Sequence, residues 1–281
     1  MEISDIKITI GLPTYNRSNL LPCCVKSVLD QTHSNWELII SDDNSTDDTP
    51  KVAQELVNRD PRIRYFRQAS RVLQPKNRNT IFPLSNCDLI FFLEDDVILE
   101  KDCLAKLICA YNDLAASRKV AAIMPRMITE NDADSTKSKG KEVVVFSKWT
   151  GLDKPQYHID LEGRVRIPSG HACSLIAKQA WSQVGGYDET RYKGTCFREE
   201  TDFYLRTGQK GYEIYFEPKA IIYHLKYRSG GCHSSPLKDD YYYARNQVLF
   251  LLRFHKLRST YMIPIFVLYL GVRLIGRRFR L

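Results

Sequence analysis

Short apolar runs that end in polar or acidic residues alternate with amphipathic stretches through the first half of the chain. KITIGLP (7–13) predicts a first strand that ends in a loop. Leu20, Val25, Val28 and Leu29 then recur at helical spacing within 19–31, with Pro22 tolerable in the first turn. WELIISDD (36–43) predicts a second strand. The next segment opens with Ser45, Thr46 and Asp47 as candidate caps and carries Val52, Leu56 and Val57 on one helical face. A short strand at 62–66, a short helix or turn at 75–84, a fourth strand at 87–96, a helix at 102–115 and a strand at 120–127 follow.

Such alternation of strand and helix predicts a mostly parallel sheet covered by helices on both faces. Ligands of such sheets bind beyond the C-terminal ends of the strands. The acidic clusters at 42–43 and 94–96 fall there.

The rhythm breaks between 129 and 163. TENDADSTKSKGKE reads as a polar loop, and VVVFSKW (143–149) as a strand of an appended small sheet. Order resumes with HACSLIA (171–177), a helix over 178–184, the turn GGYDE (185–189), the segment EETDFYLRTGQKG, a strand over 212–224 and a long helix over 236–255. Residues 261–276 (YMIPIFVLYLGVRLIG) are strongly apolar and run into RRFRL, but Arg273 interrupts them and the unbroken part is shorter than a spanning helix needs. A helix lying in a membrane interface with a basic collar fits this pattern. A helix packed on its own domain or in a homodimer fits it equally.

The composition adds that a substantial core is affordable: 43% of 281 residues are hydrophobic and 26% are charged, which excludes a disordered chain. A net charge of +8 favours anionic partners without choosing among them. Basic residues are scattered and aromatics follow strand or helix periodicity, so a nucleic-acid groove is not expected. The eight cysteines show no CxxC spacing, which points to reduced core thiols of a cytoplasmic protein. MEISDIKITIGLP lacks the pattern of a secretory signal.

Three clusters carry candidate chemistry. In FFLEDD the apolar run meets Glu94, Asp95 and Asp96; kept extended, Glu94 and Asp96 project to one side and Asp95 to the other. One or two such carboxylates can hold a divalent cation that also binds substrate phosphates, and a solvated acidic turn is the plain alternative. TYNRSN (14–19) and DDNSTDDT (42–49) follow the first two strands. There Tyr15 offers a stacking surface and Asp42 or Asp43 an acceptor for a base or ribose, with Arg78 and Asn79 within reach of the same crevice. In REETDF, Glu199, Glu200 and Asp202 crowd together; repulsion raises a carboxyl pKa, and a placed carboxylate can take a proton from a hydroxyl. Asp202 sits near a helix start, and His224, ending a strand, offers an imidazole to a metal.

The order ITIGLPTYNR, QTHSNWELIISDDNSTDDT, PKNRN, FFLEDD, GGYDE and EETDFYLR, with His224 behind it, resembles the family 2 glycosyltransferases over roughly residues 6 to 255. The resemblance implies an inverting, nucleotide-sugar-dependent enzyme with a GT-A fold: a Rossmann-like, mostly parallel sheet flanked by helices, a small additional sheet and a C-terminal helical extension. It implies a catalytic domain over 1–255, with a nucleotide-binding half at 1–127 and an acceptor-binding half at 128–235, and a tail over 256–281. Thr14, Tyr15, Asn16 and Arg17 are implied to line the nucleoside pocket, with Asp43 toward the base and Arg78 and Asn79 beside the nucleotide. The 94–96 triplet takes the DXD position, with Asp96 as the foremost metal or diphosphate ligand, Glu94 or Asp95 assisting, and His224 also toward metal or diphosphate. Glu200 falls at the general base and Asp202 at the acid that follows it.

Two departures are a Glu at the head of FLEDD and EET in place of ED. The cofactor so implied is Mn²⁺ or Mg²⁺, and the donor a nucleoside diphosphate sugar, UDP by default. The acceptor is a saccharide, lipid-linked or polymeric, recognised through the second half including Trp149, at the cytoplasmic face of a membrane. A nucleotidyltransferase that makes nucleotide sugars is the rival reading, although its Gly-rich basic loop is missing from GLPTYNR. A protein that binds nucleotide sugar without turnover is another.

Overall fold

The computed structural model describes residues 3–129, 142–225 and 235–278. The first strands are β1 (Ile8–Thr14), β2 (Trp36–Asp42), β3 (Ile63–Arg67) and β4 (Leu89–Phe92), joined by helices α1 (Leu21–Leu29), α2 (Thr49–Arg59) and α3 (Gln74–Leu84). β1 pairs parallel with β2 and β4, and β2 with β3. Every residue of β1 and β2 is buried, because helices cover both faces of these central strands. Gly11 belongs to this packing: a Cβ there would meet Ile81 at 3.0 Å and Phe92 at 3.2 Å, so its absence lets α3 close on β1.

After β4 come β5 (Val97–Leu99), α4 (Cys103–Ala115), β6 (Val120–Thr129), β7 (Val144–Phe146), β8 (Asp153–Pro155), β9 (Val165–Arg166) and β10 (Ser174–Ala177). Then follow α5 (Lys178–Val184), α6 (Glu199–Gln209), β11 (Glu213–His224), α7 (Pro236–Phe254) and α8 (Ser259–Arg278). The main sheet runs β3-β2-β1-β4-β10-β6-β11-β5, with β9 on β11. It is mixed: β10 is antiparallel to β4 and β6, whereas β6 and β11 are parallel. β7 and β8 form the expected small second sheet. The α/β fold with a C-terminal helical extension is therefore present as predicted.

The fourth strand is shorter than the sequence predicts. It stops at Phe92, and the chain turns through Asp95 and Asp96, where the Val97 amide donates to the Glu94 carbonyl at 3.1 Å. The three acids are thus not extended with two on one side. Each is drawn to a different partner, as described below. The polar loop expected after 129 lies mostly outside the described residues.

α8 packs on α7 by one face. Met262 and Phe266 are buried there, and burial of such side chains contributes about 1.5–3 kcal/mol each. Residues Lys256–Ile275 are long and apolar enough to cross a membrane, with mean hydropathy 1.3. Only the first turns of α8 are docked in this way; from Val267 to Ile275 all residues but Leu270 are exposed.

Candidate active site

The parallel register brings the C-terminal ends of β1, β2 and β4 to one edge of the sheet, and β11 ends there too. β11 pairs antiparallel with β5 so that His224 lies opposite Val97, next to Asp96. The Leu225 amide donates to the Asp96 carbonyl at 2.8 Å, which ties the two segments. His224 Nε2 stands 3.5 Å from Asp96 Oδ1.

Thr14, Tyr15, Arg17, Asp43, Glu94, Asp95 and Asp96 line one cleft of about 200 Å³ at this edge. Asp95 is buried and accepts from the Thr14 hydroxyl at 2.7 Å. Arg17 Nε lies 3.7 Å from Asp95, and its NH2 lies 3.7 Å from Asp96. Burial pushes the Asp95 carboxyl up to about 7, the neighbouring Asp96 adds to this, and Arg17 opposes it. Glu94 is raised from the ordinary carboxylate value by desolvation, against the pull of Arg78. His224 is raised from 6.5, chiefly by its bond to Asp96. Four carboxylates, Asp43, Glu94, Asp95 and Asp96, thus share this cleft with two guanidiniums, Arg17 and Arg71.

The other sequence-predicted nucleotide residues divide. One face of the Tyr15 ring is covered by the Arg71 guanidinium, 4.0 Å from its centroid. Asp43 accepts from the backbone amides of Val72 and Leu73 at 2.6 and 3.0 Å, and burial raises its pKa against those bonds. Those bonds hold Leu73 in a left-handed conformation, φ 70°, at the start of α3. Asp42 is not available to a ligand: it accepts from the Ser45 amide and hydroxyl and from the Tyr65 hydroxyl. Asn16 ties the first loop to the second, accepting from the Thr46 amide at 2.8 Å, and is not among the cleft-lining residues.

Arg78 and Asn79, adjacent in α3, point to different tasks. The Arg78 guanidinium is fully buried and donates to Glu199 at 2.5 Å, Glu200 at 3.0 Å and Glu94 at 3.2 Å. Asn79 does not line the cleft. Its amide grips the GGYDE turn, donating to the Tyr187 carbonyl and Glu189 and accepting from the Tyr187 amide and Trp181 Nε1. Gly186, at φ 75°, leaves room for this, since a Cβ would come within 2.6 Å of the Asn79 side chain.

α6 presents the third cluster. Glu199 is buried against Arg78, while Glu200 is half-buried and faces a second cleft of about 550 Å³. Asp202 is sequestered, accepting from Arg206 and Tyr192 at 2.5 and 2.9 Å and ion-paired with Arg253 at 2.8 Å. Through Arg253 it ties α6 to α7. The crowding of Glu199 and Glu200 is relieved by the shared Arg78. Asp239, Asp240, Tyr243 and Phe197 line the second cleft with Glu200, and Arg273 reaches it from α8.

Motif reading missed several of these residues. Gln74 lines both clefts and donates to Glu94 at 3.0 Å; it stands one residue before PKNRN. Arg71, Asp239 and Tyr243 lie outside any motif, and Arg273 was marked only as the break in the apolar tail. Trp149 is in neither cleft; it packs edge-on against Tyr261 of α8.

A divalent cation is implied by the resemblance. Among the described residues no three His, Cys, Asp or Glu side chains converge as a metal cluster. Asp96 of the cleft and His224 beside it nevertheless form a carboxylate–imidazole pair. That donor set fits a cation that takes its remaining ligands from diphosphate and water.

A family model described as "Glycosyl transferase family 2" matches residues 9–171. The chain is 36% identical over 108 residues to the GalNAc(5)-diNAcBac-PP-undecaprenol beta-1,3-glucosyltransferase of Campylobacter jejuni, covering 38% of this chain and 35% of that protein. It is 28% identical over 207 residues to a chondroitin synthase of Escherichia coli, covering 73% of this chain and 27% of that protein. The chain therefore spans about a third or less of the length of these relatives. The crystal structure of S. aureus TarS 1–349 in complex with UDP-GlcNAc shares the fold, with a TM-score of 0.63 at 14% identity over 93% of this chain and 72% of that one.

Proposed function

Because this chain belongs to glycosyl transferase family 2, we propose that it moves a sugar from a nucleoside diphosphate sugar to a saccharide hydroxyl with inversion at the anomeric carbon. The observation that carries this reading is Arg78, which joins Glu94 of the first cleft to Glu200 of the second. Donor and acceptor then meet across one buried guanidinium.

In this reading the first cleft takes the nucleoside diphosphate. Tyr15 and Arg71 border the base, Asp43 holds the 72–73 backbone that forms the wall, and Arg17 faces the phosphates. Glu200 accepts the proton of the acceptor hydroxyl while the hydroxyl oxygen of the acceptor bonds to the anomeric carbon. The bond from that carbon to the diphosphate oxygen breaks, and its electron pair leaves with the diphosphate. Arg78, which also holds Glu199, keeps Glu200 in place. Asp96 and His224 would hold Mn²⁺ or Mg²⁺, which when bound supplies positive charge to the leaving diphosphate.

UDP is the proposed nucleotide, in line with the ligand named for the TarS structure. The name of the Campylobacter relative supports a lipid-linked saccharide acceptor, and that of chondroitin synthase a polymeric one. The described cysteines carry free thiols, which supports action on the cytoplasmic side, peripheral to the membrane. A thermal-shift screen of nucleoside diphosphates and their sugars, with and without Mn²⁺ or Mg²⁺, tests the donor assignment. A rise in Tm with UDP or a UDP-sugar is expected. No shift with any nucleotide in the presence of metal would refute it.

A further inference from the structure

The face of α8 turned away from α7 is apolar along its length. Leu268 is 71% exposed, Val272 65% and Ile275 60%, and with Tyr261 and Pro264 they recur at helical spacing. A second, separate segment extends this surface. The turn between β7 and β8 carries Trp149, 67% exposed, whose ring lies 6.5 Å from that of Tyr261. The Tyr261 hydroxyl also donates to the Lys148 carbonyl at 3.4 Å, which fixes the turn beside the helix. Exposed Lys148, Lys256 and Arg258 stand around this end. No acidic residue occurs in the sequence after Asp240, while Lys256, Arg258, Arg273, Arg277, Arg278 and Arg280 do.

We propose that the outer face of α8 and Trp149 together seat this protein on an anionic bilayer leaflet, with α8 lying in the plane of the interface. An apolar stripe beside basic residues, with Trp and Tyr at its border, is the composition that such an interface binds. Charge selects this occupant over two others. In a two-fold contact between copies the same basic rim would face itself. A spanning helix needs about 20 apolar residues free of the domain, whereas the first turns of α8 are held in it by Met262 and Phe266.

The inner flank of the same helix supplies Arg273, over the Tyr243 ring at 5.4 Å, to the cleft of Glu200. Docking therefore sets that cleft beside the lipid surface, where a lipid-linked saccharide presents its hydroxyls. This consequence rests on the glycosyltransferase reading; the docking itself does not.

Sedimentation of the full chain with phosphatidylcholine vesicles, with and without phosphatidylglycerol, tests the proposal. Binding to the anionic vesicles is expected, weakening as salt is raised. Leu268→Asp with Val272→Asp should weaken it roughly tenfold or more. Lys256→Glu with Arg258→Glu should remove the preference for phosphatidylglycerol. Emission of Trp149 should shift to the blue on binding, a shift absent in Trp149→Phe. The Leu268→Asp, Val272→Asp protein should keep its thermal shift with UDP, which shows it folded and its donor cleft intact. Wild-type protein left in the supernatant, or an unweakened double variant, would overturn the proposal. So would a dimer in size-exclusion light scattering that the double variant turns into a monomer. Vesicle binding without any nucleotide response would leave docking standing and sink the enzymatic reading instead.

Discussion

Arg78 donates to Glu200 at 3.0 Å from a position where its own guanidinium has no exposure to water. Glu199 and Glu94 share the same guanidinium. Removing one partner of a buried ion pair leaves uncompensated charge, which costs about 3–5 kcal/mol. Arg78→Met is therefore expected to lose stability of that order in urea denaturation. Arg78→Lys keeps the charge but lacks the planar fork that serves three carboxylates. It should fold and lose turnover more than donor affinity. Unchanged stability in Arg78→Met would refute the account of this cluster.

Asn79 separates a structural role from a nucleotide contact. Its amide makes four bonds to the Tyr187–Glu189 turn and Trp181. Asn79→Ala should cost roughly 1–3 kcal/mol of stability while leaving the Kd for UDP nearly unchanged. A weakened Kd with full stability would return Asn79 to the donor cleft.

Asp96 and His224 set the expected response to metal. Isothermal titration should show UDP binding more tightly with Mn²⁺ than with a chelator present. Asp96→Asn should abolish that difference and His224→Ala reduce it. A difference that survives in Asp96→Asn would move the cation elsewhere.

His171 gives a pH dependence. Its Nε2 faces the Pro125 carbonyl at 3.0 Å, and burial lowers its pKa to about 4. Between pH 4 and 6.5 the unfolded chain holds the proton that the folded one refuses. Stability contributed by the neutral ring is full above about 6.5 and falls as the pH drops toward 4, by roughly 1–3 kcal/mol. Urea denaturation of wild type and His171→Gln should differ in slope across that window. Equal slopes would contradict the assignment.

The central strands were legible because burial on both faces leaves an unbroken apolar run, as in residues 38–40 and 89–93. The acids at their ends were legible as site candidates for the same reason. What was not legible depends on partners distant in sequence. The turn at 93–96 is set by Thr14, Arg17, Arg78 and His224, none of them local. Asn79 is directed by residues 102–110 positions away. Arg273 and Asp239 enter the second cleft only because α7 and α8 fold back over α6. For α8 itself the sequence allowed a packed helix or an interfacial one, and the structure buries Met262 and Phe266 in its first turns and exposes most of the rest.

The central claim is that Glu200 takes the proton of an acceptor hydroxyl. Its most direct test is the rate of nucleoside diphosphate release at saturating donor and acceptor, wild type against Glu200→Gln. The account predicts a loss of roughly 10²–10⁴-fold with the donor Kd nearly unchanged. Equal release by the two proteins would contradict it.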